Sequence, residues 1–491
     1  MTKSESSSTY NWIVGFAAGF GGLLFGYEIG VIGQVLAMIS FQIQFNLIKL
    51  DSLGNPIYGD DGKTIDADNQ ANLESWITST FLFGCIIGAA IFSVVCDRLG
   101  RKKSIIISGI LFAIGGLVQC TVSTLGPFLV GRVISGLAIG TASMVVPMYI
   151  AETAPAATRG ALTTVYQLMI TFGIFIATAI NSIIIKAVDD LNFTQWRCPS
   201  TSSVLLVSFI PESPRWLAEK GLHEQAVQVI SKLRGLDVNH REIVAEMKEI
   251  QDGVDFDKNL GDSTWAEMFR GSIGKRTLIA IVNQSLQQLT GINVILYYSK
   301  DIFNAMGFAS ADTKIAFPLA NAFINFIATF PGMWAVDRFG RKTLLFWGAL
   351  GMAIGHAGVF TFFQLSKSNQ PLAWGAIISV YVFLISFATT WGPVVWSYQA
   401  EIFPLRVRSK GTGIGTMTNW IWNTIIAYAF PQVFSALNKG PSVYWIFFSF
   451  CAIMFVWSWT MIKETKGLTL EEISEVFGEE KRDQETGVAK N

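Results

Sequence analysis

Two ionisable side chains stand where the sequence is otherwise apolar. Glu28 lies in Phe25-Gly-Tyr-Glu-Ile-Gly-Val-Ile-Gly33, and Arg132 lies in Gly131-Arg-Val-Ile-Ser-Gly136. An ionisable group inside a membrane-length apolar run is costly and is a functional candidate by default. A buried carboxylate beside a mobile cation can exist charged or protonated, depending on whether desolvation or the cation's field wins. That is the requirement for proton coupling. It is equally the make-up of a static ion pair that fixes helix packing, and the residues alone leave both open.

A second set is neutral. Gln287-Gln-Leu-Thr-Gly-Ile-Asn293-Val-Ile-Leu-Tyr-Tyr298 places Gln287, Gln288 and Asn293 around Gly291, where a helix can loosen. Gln167, Asn325, Trp396, Asn419, Trp420 and Asn423 add amides and aromatic faces from other apolar runs. A neutral polyol needs such partners: fixed amides for its hydroxyls and ring faces for its C–H surface. Any single amide could instead hold helices together, but convergence from four or five runs at mid-depth favours a site.

Elements able to hold these residues follow from composition. The 491 residues are 51% hydrophobic and 15% charged, with 37 Phe, 15 Trp and zero net charge. Apolar runs of about 20 residues, enough to cross a ~30 Å hydrocarbon core, recur throughout. The chain reads as an all-α polytopic membrane protein with twelve spans. They fall near 11–36, 73–95, 103–123, 125–150, 160–187 and 196–210, then 275–298, 312–335, 341–365, 371–398, 411–435 and 441–462. The expected division is a first bundle over 1–210, a cytoplasmic helical linker over 211–274, a second bundle over 275–462 and a cytoplasmic tail over 463–491. Placing both termini in the cytoplasm puts most of the 36 Lys and Arg there, as the positive-inside rule requires. The polar start Met1–Tyr10, followed by a full-length span, gives no sign of a cleaved signal peptide. Segment 40–72 reads as an external loop, and Asn192-Phe-Thr194 is a glycosylation sequon in another. Thr264-Trp-Ala-Glu267 has capping-box spacing, and the acidic stretch from Gly467 onward reads as partly disordered.

The halves are copies. Asp97-Arg-Leu-Gly-Arg-Lys102 returns as Asp337-Arg-Phe-Gly-Arg-Lys342, and Tyr149-x-Ala-Glu152-x-x-Pro155-x-x-x-Arg159 returns as Tyr398-x-Ala-Glu401-x-x-Pro404-x-x-x-Arg408. A weaker echo links Pro211-Glu-Ser-Pro-Arg215 with Lys463-Glu-Thr-Lys466. Self-similarity in register with hydropathy means duplication. Asp97, Arg101, Glu152 and Arg159, with Asp337, Arg341, Glu401 and Arg408, bring both signs to the cytoplasmic side of each half. A network of individually weak pairs suits a gate that opens reversibly; topology and lipid headgroup contact are a second use.

Other classes fit poorly. His223, His240 and His356 form no cluster, and no nucleophile–base arrangement is visible, so an enzyme is not expected. The five cysteines are scattered without metal or disulfide spacing. Zero net charge suggests no nucleic acid, and no cofactor or obligate protein partner is implied.

Taken in order, Gly131-Arg132, Pro147-Met-Tyr-Ile-Ala-Glu-Thr-Ala-Pro155 with Arg159-Gly160, Pro211-Glu-Ser-Pro-Arg-Trp-Leu217, Gln287–Asn293, Trp391-Gly-Pro-Val-Val-Trp396 and Glu464-Thr-Lys-Gly-Leu468 resemble the sugar porter family of the major facilitator superfamily. The likeness covers residues 11–477 and is greatest to fungal monosaccharide (hexose) transporters. It implies two six-helix bundles related by a pseudo-two-fold axis, one sugar site between them and alternating access by rocking. It implies sugar contacts at Gln167, Gln287, Gln288, Asn293, Asn325, Trp396 and Asn419, with Phe25 nearby. In proton-coupled members the first-span acid, paired with the fourth-span Arg, takes the proton; here these are Glu28 and Arg132. The expected function is monosaccharide transport across the plasma membrane, hexose or pentose, by symport with a proton. An uncoupled carrier is the alternative, and a non-transporting sugar sensor is disfavoured by the short tail.

Two features depart from the family pattern. Glu28 stands where the family usually has Asp, and some fungal facilitators also keep an acid there. The sixth span is short: Cys198–Ile210 at 1.5 Å per residue reaches only about 20 Å. Either residues near Asp190–Gln195 are drawn into the bilayer or the sequence reflects a deletion or mis-predicted exon, and the second explanation is preferred.

Overall fold

The computed structural model describes residues 9–36, 38–48, 57, 67–188, 192, 196–197, 210–261, 263–308, 311–367 and 370–478. The first series of helices is α1 Thr9–Val35, α2 Ile39–Gln44, α3 Ala67–Leu99, α4 Arg101–Thr121, α5 Leu125–Thr153 and α6 Arg159–Ala187. Short helices α7 Pro214–Glu219, α8 His223–Arg234 and α9 Arg241–Asn259 come next, then a 3-10 turn at Glu267–Phe269. The second series is α10 Gly271–Leu289, α11 Ile292–Tyr297, α12 Ser299–Ala305, α13 Ala311–Phe339, α14 Arg341–Ser366, α15 Ala373–Thr389, α16 Trp391–Ile402, α17 Leu405–Ala436 and α18 Val443–Thr460, followed by α19 Leu470–Val476.

Among the described residues, nine helical segments are long and apolar enough to cross a membrane. α10 and α17 fall outside that set for a physical reason. α10 carries Lys275, Arg276, Asn283, Gln284, Gln287 and Gln288, and α17 carries Arg406, Arg408, Lys410, Asn419 and Asn423. The helices richest in site residues are therefore the least apolar.

Within the first series α1 packs on α6, and α5 on α3 and α4. Within the second, α14 packs on α15 and α18, and α10 on α17. Each series has its own large apolar core. They meet along two seams, α3 against α17 and α6 against α13. Phe172 and Phe175 stack on Phe326 across the second seam, with ring centroids 5.0 and 6.0 Å apart. Residues on these seams are the ones that change neighbours if the halves rock.

Two expectations need amendment, and the tail gains detail. Loop 40–72 is shorter than expected: α2 covers Ile39–Gln44 and α3 begins at Ala67. Thr264 Oγ does accept from Glu267 N (3.3 Å), but it starts only a 3-10 turn, because the Glu267 carboxylate is taken by Arg406. The stretch after Gly467, read as partly disordered, begins with a helix. Thr469 and Glu472 form a reciprocal capping box that opens α19, and Leu470, Ile473 and Phe477 are buried against the second core. Residues 198–209 of the sixth-span segment, the sequon's Phe193 and Thr194, and the tail after Gly478 lie outside the described residues. What is described there is Trp196, fully buried among Phe41, Phe45 and Phe128.

Candidate functional site

Both copies of the duplicated motif build the same knot. Arg101 grips Glu152 through Nε and Nη2, both at 3.1 Å, and Arg341 grips Glu401 at 3.2 and 2.6 Å. Each knot begins a helix whose first N–H groups need acceptors. Glu212 Oε1 accepts from Arg101 N (2.9 Å) and Lys102 N (3.1 Å); Glu464 accepts from Arg341 N (2.8 Å) and Lys342 N (3.1 Å). Ser213 Oγ donates to Glu152 at 2.5 Å and Thr465 Oγ1 to Glu401 at 2.8 Å. Tyr149 and Tyr398 hydroxyls donate to the Pro211 and Lys463 carbonyls. The faint Pro211–Arg215 and Lys463–Lys466 echo is thus a structural repeat: each supplies a carboxylate cap and a hydroxyl. Burial pushes the Glu212 carboxyl up from the ordinary carboxylate range, against the pull of the N–H groups of Ser213, Lys102 and Arg101.

The two knots are then tied across the seams. Arg408 Nη1 donates to Glu152 Oε1 at 3.3 Å, and Ser409 Oγ to Asp97 Oδ1 at 2.5 Å. In the other half, Asp337 Oδ2 accepts from Ala161 N at 2.9 Å, while Arg159 Nη1 donates to Leu468 O at 2.9 Å. All eight expected gate residues therefore gather at this end, which is closed. Gly160 shows how tightly: a Cβ there would sit 2.3 Å from Asp337 Oδ1 and 2.9 Å from Arg341 Nη2. Gly160→Ala is expected to pry this end open. The check is alkylation of Cys96, which is buried with its Sγ bonded to Ser409 Oγ. In a background lacking the other cysteines, Cys96 should react with maleimide several-fold faster in the Gly160→Ala variant than in the parent.

Glu28 and Arg132 do meet. Arg132 Nη1 donates to Glu28 Oε1, Arg132 Nε donates to Ile77 O on α3 (3.2 Å), and the guanidinium carbon lies 4.6 Å from the Phe81 ring centroid. The pair is buried between α1, α3 and α5. Tyr27, Phe112, Gln119 and Phe128 line a small cavity alongside it.

The amides converge as expected. Gly291 takes a left-handed conformation (φ 82°) and breaks the seventh expected span into α10 and α11, so Gln287, Gln288 and Asn293 point to one place. Asn293 Nδ2 donates to Gln288 Oε1 (2.6 Å), Gln288 Nε2 to Asn419 Oδ1 (2.9 Å), and Asn419 Nδ2 to Gln287 Oε1 (2.8 Å). Gln287 Nε2 donates to Trp391 O at 2.8 Å, beside a second break at Thr390 (φ −132°, ψ −85°). Gln167 comes from the other half, next to Gly392. Trp396 meets Tyr166 edge-on at 6.1 Å across the seam, and Phe25 packs on Trp420 at 5.0 Å. Asn325 is buried on α13, near the Thr171–Thr329 hydroxyl contact (3.2 Å) that crosses to α6. Asn325 Oδ1 and the Tyr166 hydroxyl are buried without a hydrogen-bond partner among the described residues. Such groups cost free energy unless something else satisfies them.

Single-residue inspection missed Gln284, Gln399 and Tyr166, which join this cluster. Gln284 sits one helical turn before Gln287, a spacing that could have flagged it.

The family profile described as "Sugar (and other) transporter" matches residues 14–477. The probable glucose transporter rco-3 of Neurospora crassa is 34% identical over 95% of this chain and 79% of its own length. The high-affinity hexose transporter HXT6 of Saccharomyces cerevisiae is 34% identical over 94% of this chain and 80% of its own. Among solved structures, the proton:xylose symporter XylE bound to 6-bromo-6-deoxy-D-glucose superposes with a TM-score of 0.82, at 30% identity, over 96% of this chain and all of that one. The inward-open conformation of XylE from E. coli scores only 0.67, at 29% identity, over 95% of this chain and all of that one. The chain is a multi-pass, all-helical member of the sugar transporter family of the major facilitator superfamily, a transporter of sugars and not an enzyme.

Proposed function

We propose that this protein carries hexose, with pentose as a second substrate class, into the cell across the plasma membrane by sugar:proton symport. Both termini are assigned to the cytoplasm, which makes the closed motif end the cytoplasmic gate formed by Asp97, Arg101, Glu152, Arg159, Asp337, Arg341, Glu401 and Arg408. The working division is a bundle over 1–210, a linker over 211–274, a bundle over 275–462 and a tail from 463. Gln167, Gln287, Gln288, Asn293, Asn325, Trp396 and Asn419 contact the sugar, with Phe25 against it. One observation carries the reading most strongly. Tyr166, edge-on to Trp396 across the seam, and Asn325, on seam helix α13, each carry a buried polar atom that has no hydrogen-bond partner among the described residues, while the four amides Gln287, Gln288, Asn293 and Asn419 are bonded to one another. A sugar hydroxyl would supply the missing partner.

In the proposed cycle Glu28 takes a proton from outside, sugar binds amides of both halves, and the halves rock to release both ligands to the cytosol. Arg132 then recaptures the Glu28 carboxylate. The proton reading rests on this pair together with the likeness to a proton:xylose symporter. The relatives named only as glucose or hexose transporters keep an uncoupled carrier in view.

The test is labelled-glucose uptake by yeast lacking their own hexose carriers and expressing this chain with a fluorescent tag. Saturable uptake that collapses with a protonophore is expected. Uptake that survives the protonophore replaces symport with facilitation, and a surface-localised chain with no saturable uptake contradicts the sugar assignment. Trp396→Ala should raise KM at least tenfold in this assay, because it removes the ring face that covers the sugar's C–H surface.

A further inference from the structure

The amide cluster continues past the sugar contacts as a chain with one polarity. Asn419 Nδ2 donates to Gln284 Oε1 at 2.6 Å, and Gln284 Nε2 donates to Gln399 Oε1 at 2.9 Å. Gln399 Nε2 donates to the Thr412 carbonyl at 3.0 Å and to Thr416 Oγ1 at 3.2 Å. From Asn293 through Gln288, Asn419, Gln284 and Gln399 to Thr412, every amide donates onward. All five are buried.

The direction is dictated from one end. A backbone carbonyl can only accept, so Gln399 must turn its NH2 toward Thr412 and its oxygen toward Gln284. Gln284 must then face Asn419 with its oxygen, and Asn419 must offer its NH2. Gln287, held by the Trp391 carbonyl, places the same demand on Asn419. With that NH2 spent, Asn419 presents its oxygen to Gln288, whose own oxygen is left for Asn293. Donors and acceptors open to a ligand are therefore fixed before it arrives, and hydrogen bonds in such a chain reinforce one another.

We propose that Gln399 is a positioning residue that sets the donor and acceptor polarity of the sugar site through Gln284. The proposal rests on assigning Gln288, Asn293 and Asn419 as sugar contacts. Gln399 lies behind that set, on α16, two residues before the gate carboxylate Glu401. Its anchor, Thr412, sits one turn beyond the gate cation Arg408, whose carbonyl accepts from Thr412 Oγ1 at 2.7 Å. Substrate selection is thereby tied to the helix that carries the latch.

The experiment measures glucose affinity and the affinities of a deoxyglucose series on purified protein. The variants are Gln399→Met, Gln284→Met, the double variant and Gln288→Ala. Methionine keeps the volume and loses the hydrogen bonds. Gln399→Met should weaken glucose binding about tenfold while weakening one deoxyglucose far less, so that discrimination at that hydroxyl collapses. The double variant should be no worse than the poorer single, as for residues that act as one unit. Equal loss for glucose and every deoxyglucose, or additive losses in the double, overturns the proposal. If Gln288→Ala abolishes binding while Gln399→Met discriminates normally, only the positioning role fails. If Gln288→Ala binds glucose unchanged, the sugar-site assignment itself has failed. Should Gln399→Met not fold, Gln284→Met breaks the same chain one link nearer the sugar contacts, and the same loss of discrimination is expected.

Discussion

If Glu28 carries the proposed proton, Glu28→Gln should abolish uphill sugar accumulation and spare sugar exchange. Glutamine keeps the length of Glu28 and an oxygen for Arg132, so the junction of α1, α3 and α5 stays packed and the Arg132 bond to Ile77 O is untouched. What is lost is the ability to exist in two charge states. In the proposed cycle the variant corresponds to a permanently protonated carrier, which would bind sugar and rock but could not return a proton to the cytosol. Inside and outside sugar concentrations should equalise instead of diverging, while counterflow of labelled against unlabelled glucose persists. The partner variant Arg132→Ala differs. It leaves a bare carboxylate in a desolvated site, and the group either takes up a proton or costs several kcal/mol. Accumulation by Glu28→Gln at the parent's level would make the pair a static packing device.

The second large effect is at the gate. Glu152 is fully buried and receives Arg101, Arg408 and Ser213 at once. Glu152→Gln removes the charge that compensates two buried guanidinium groups, one from each half. Breaking such a pair costs about 3–5 kcal/mol, which is roughly two to three and a half decades in an equilibrium constant. Opening this end lets water reach Arg408, so the penalty falls on the closed state. The variant should rest open at the motif end. Spin labels at the exposed positions Lys103 and Thr343, equivalent points in the two copies of the motif, should move apart in it. Transport should fall by at least tenfold, because each cycle must pass through the disfavoured closed state. An unchanged label distance would mean that the remaining cross-seam bonds, Ser409–Asp97, Ala161–Asp337 and Arg159–Leu468, hold the gate without Glu152.

How much was legible follows from how repetition and rarity show in a sequence. The Asp97 and Asp337 motifs stood out because a duplicated charged loop after an apolar run has few other causes. Glu28, Arg132 and the Gln287–Asn293 amides stood out because polar groups are expensive inside apolar runs. Gln399 has the same chemistry but sits among gate residues, where one more amide reads as helix glue; only its bonds to Gln284 and Thr412 show otherwise. The break at Gly291 was readable from the glycine. The one at Thr390 was not, since its cause is distributed: Pro393 offers no N–H to the turn before it, and Gln287 takes the Trp391 carbonyl. α19 was missed because acidic residues dominate its composition and hide the Leu470, Ile473 and Phe477 spacing. Which carboxylate pairs with which cation across the seams depends on three-dimensional closure, and local pattern carries none of that.

The central claim, proton-driven sugar transport through a site shared by two rocking halves, is tested most directly in proteoliposomes of the purified chain. Labelled glucose is offered outside with an imposed pH gradient, alkaline within, and again without one. The account predicts glucose accumulating inside above the external concentration with the gradient, and simple equilibration without it. Equilibration under both conditions would contradict coupling and leave a facilitator. Absence of saturable glucose or xylose flux under either condition would contradict the account as a whole.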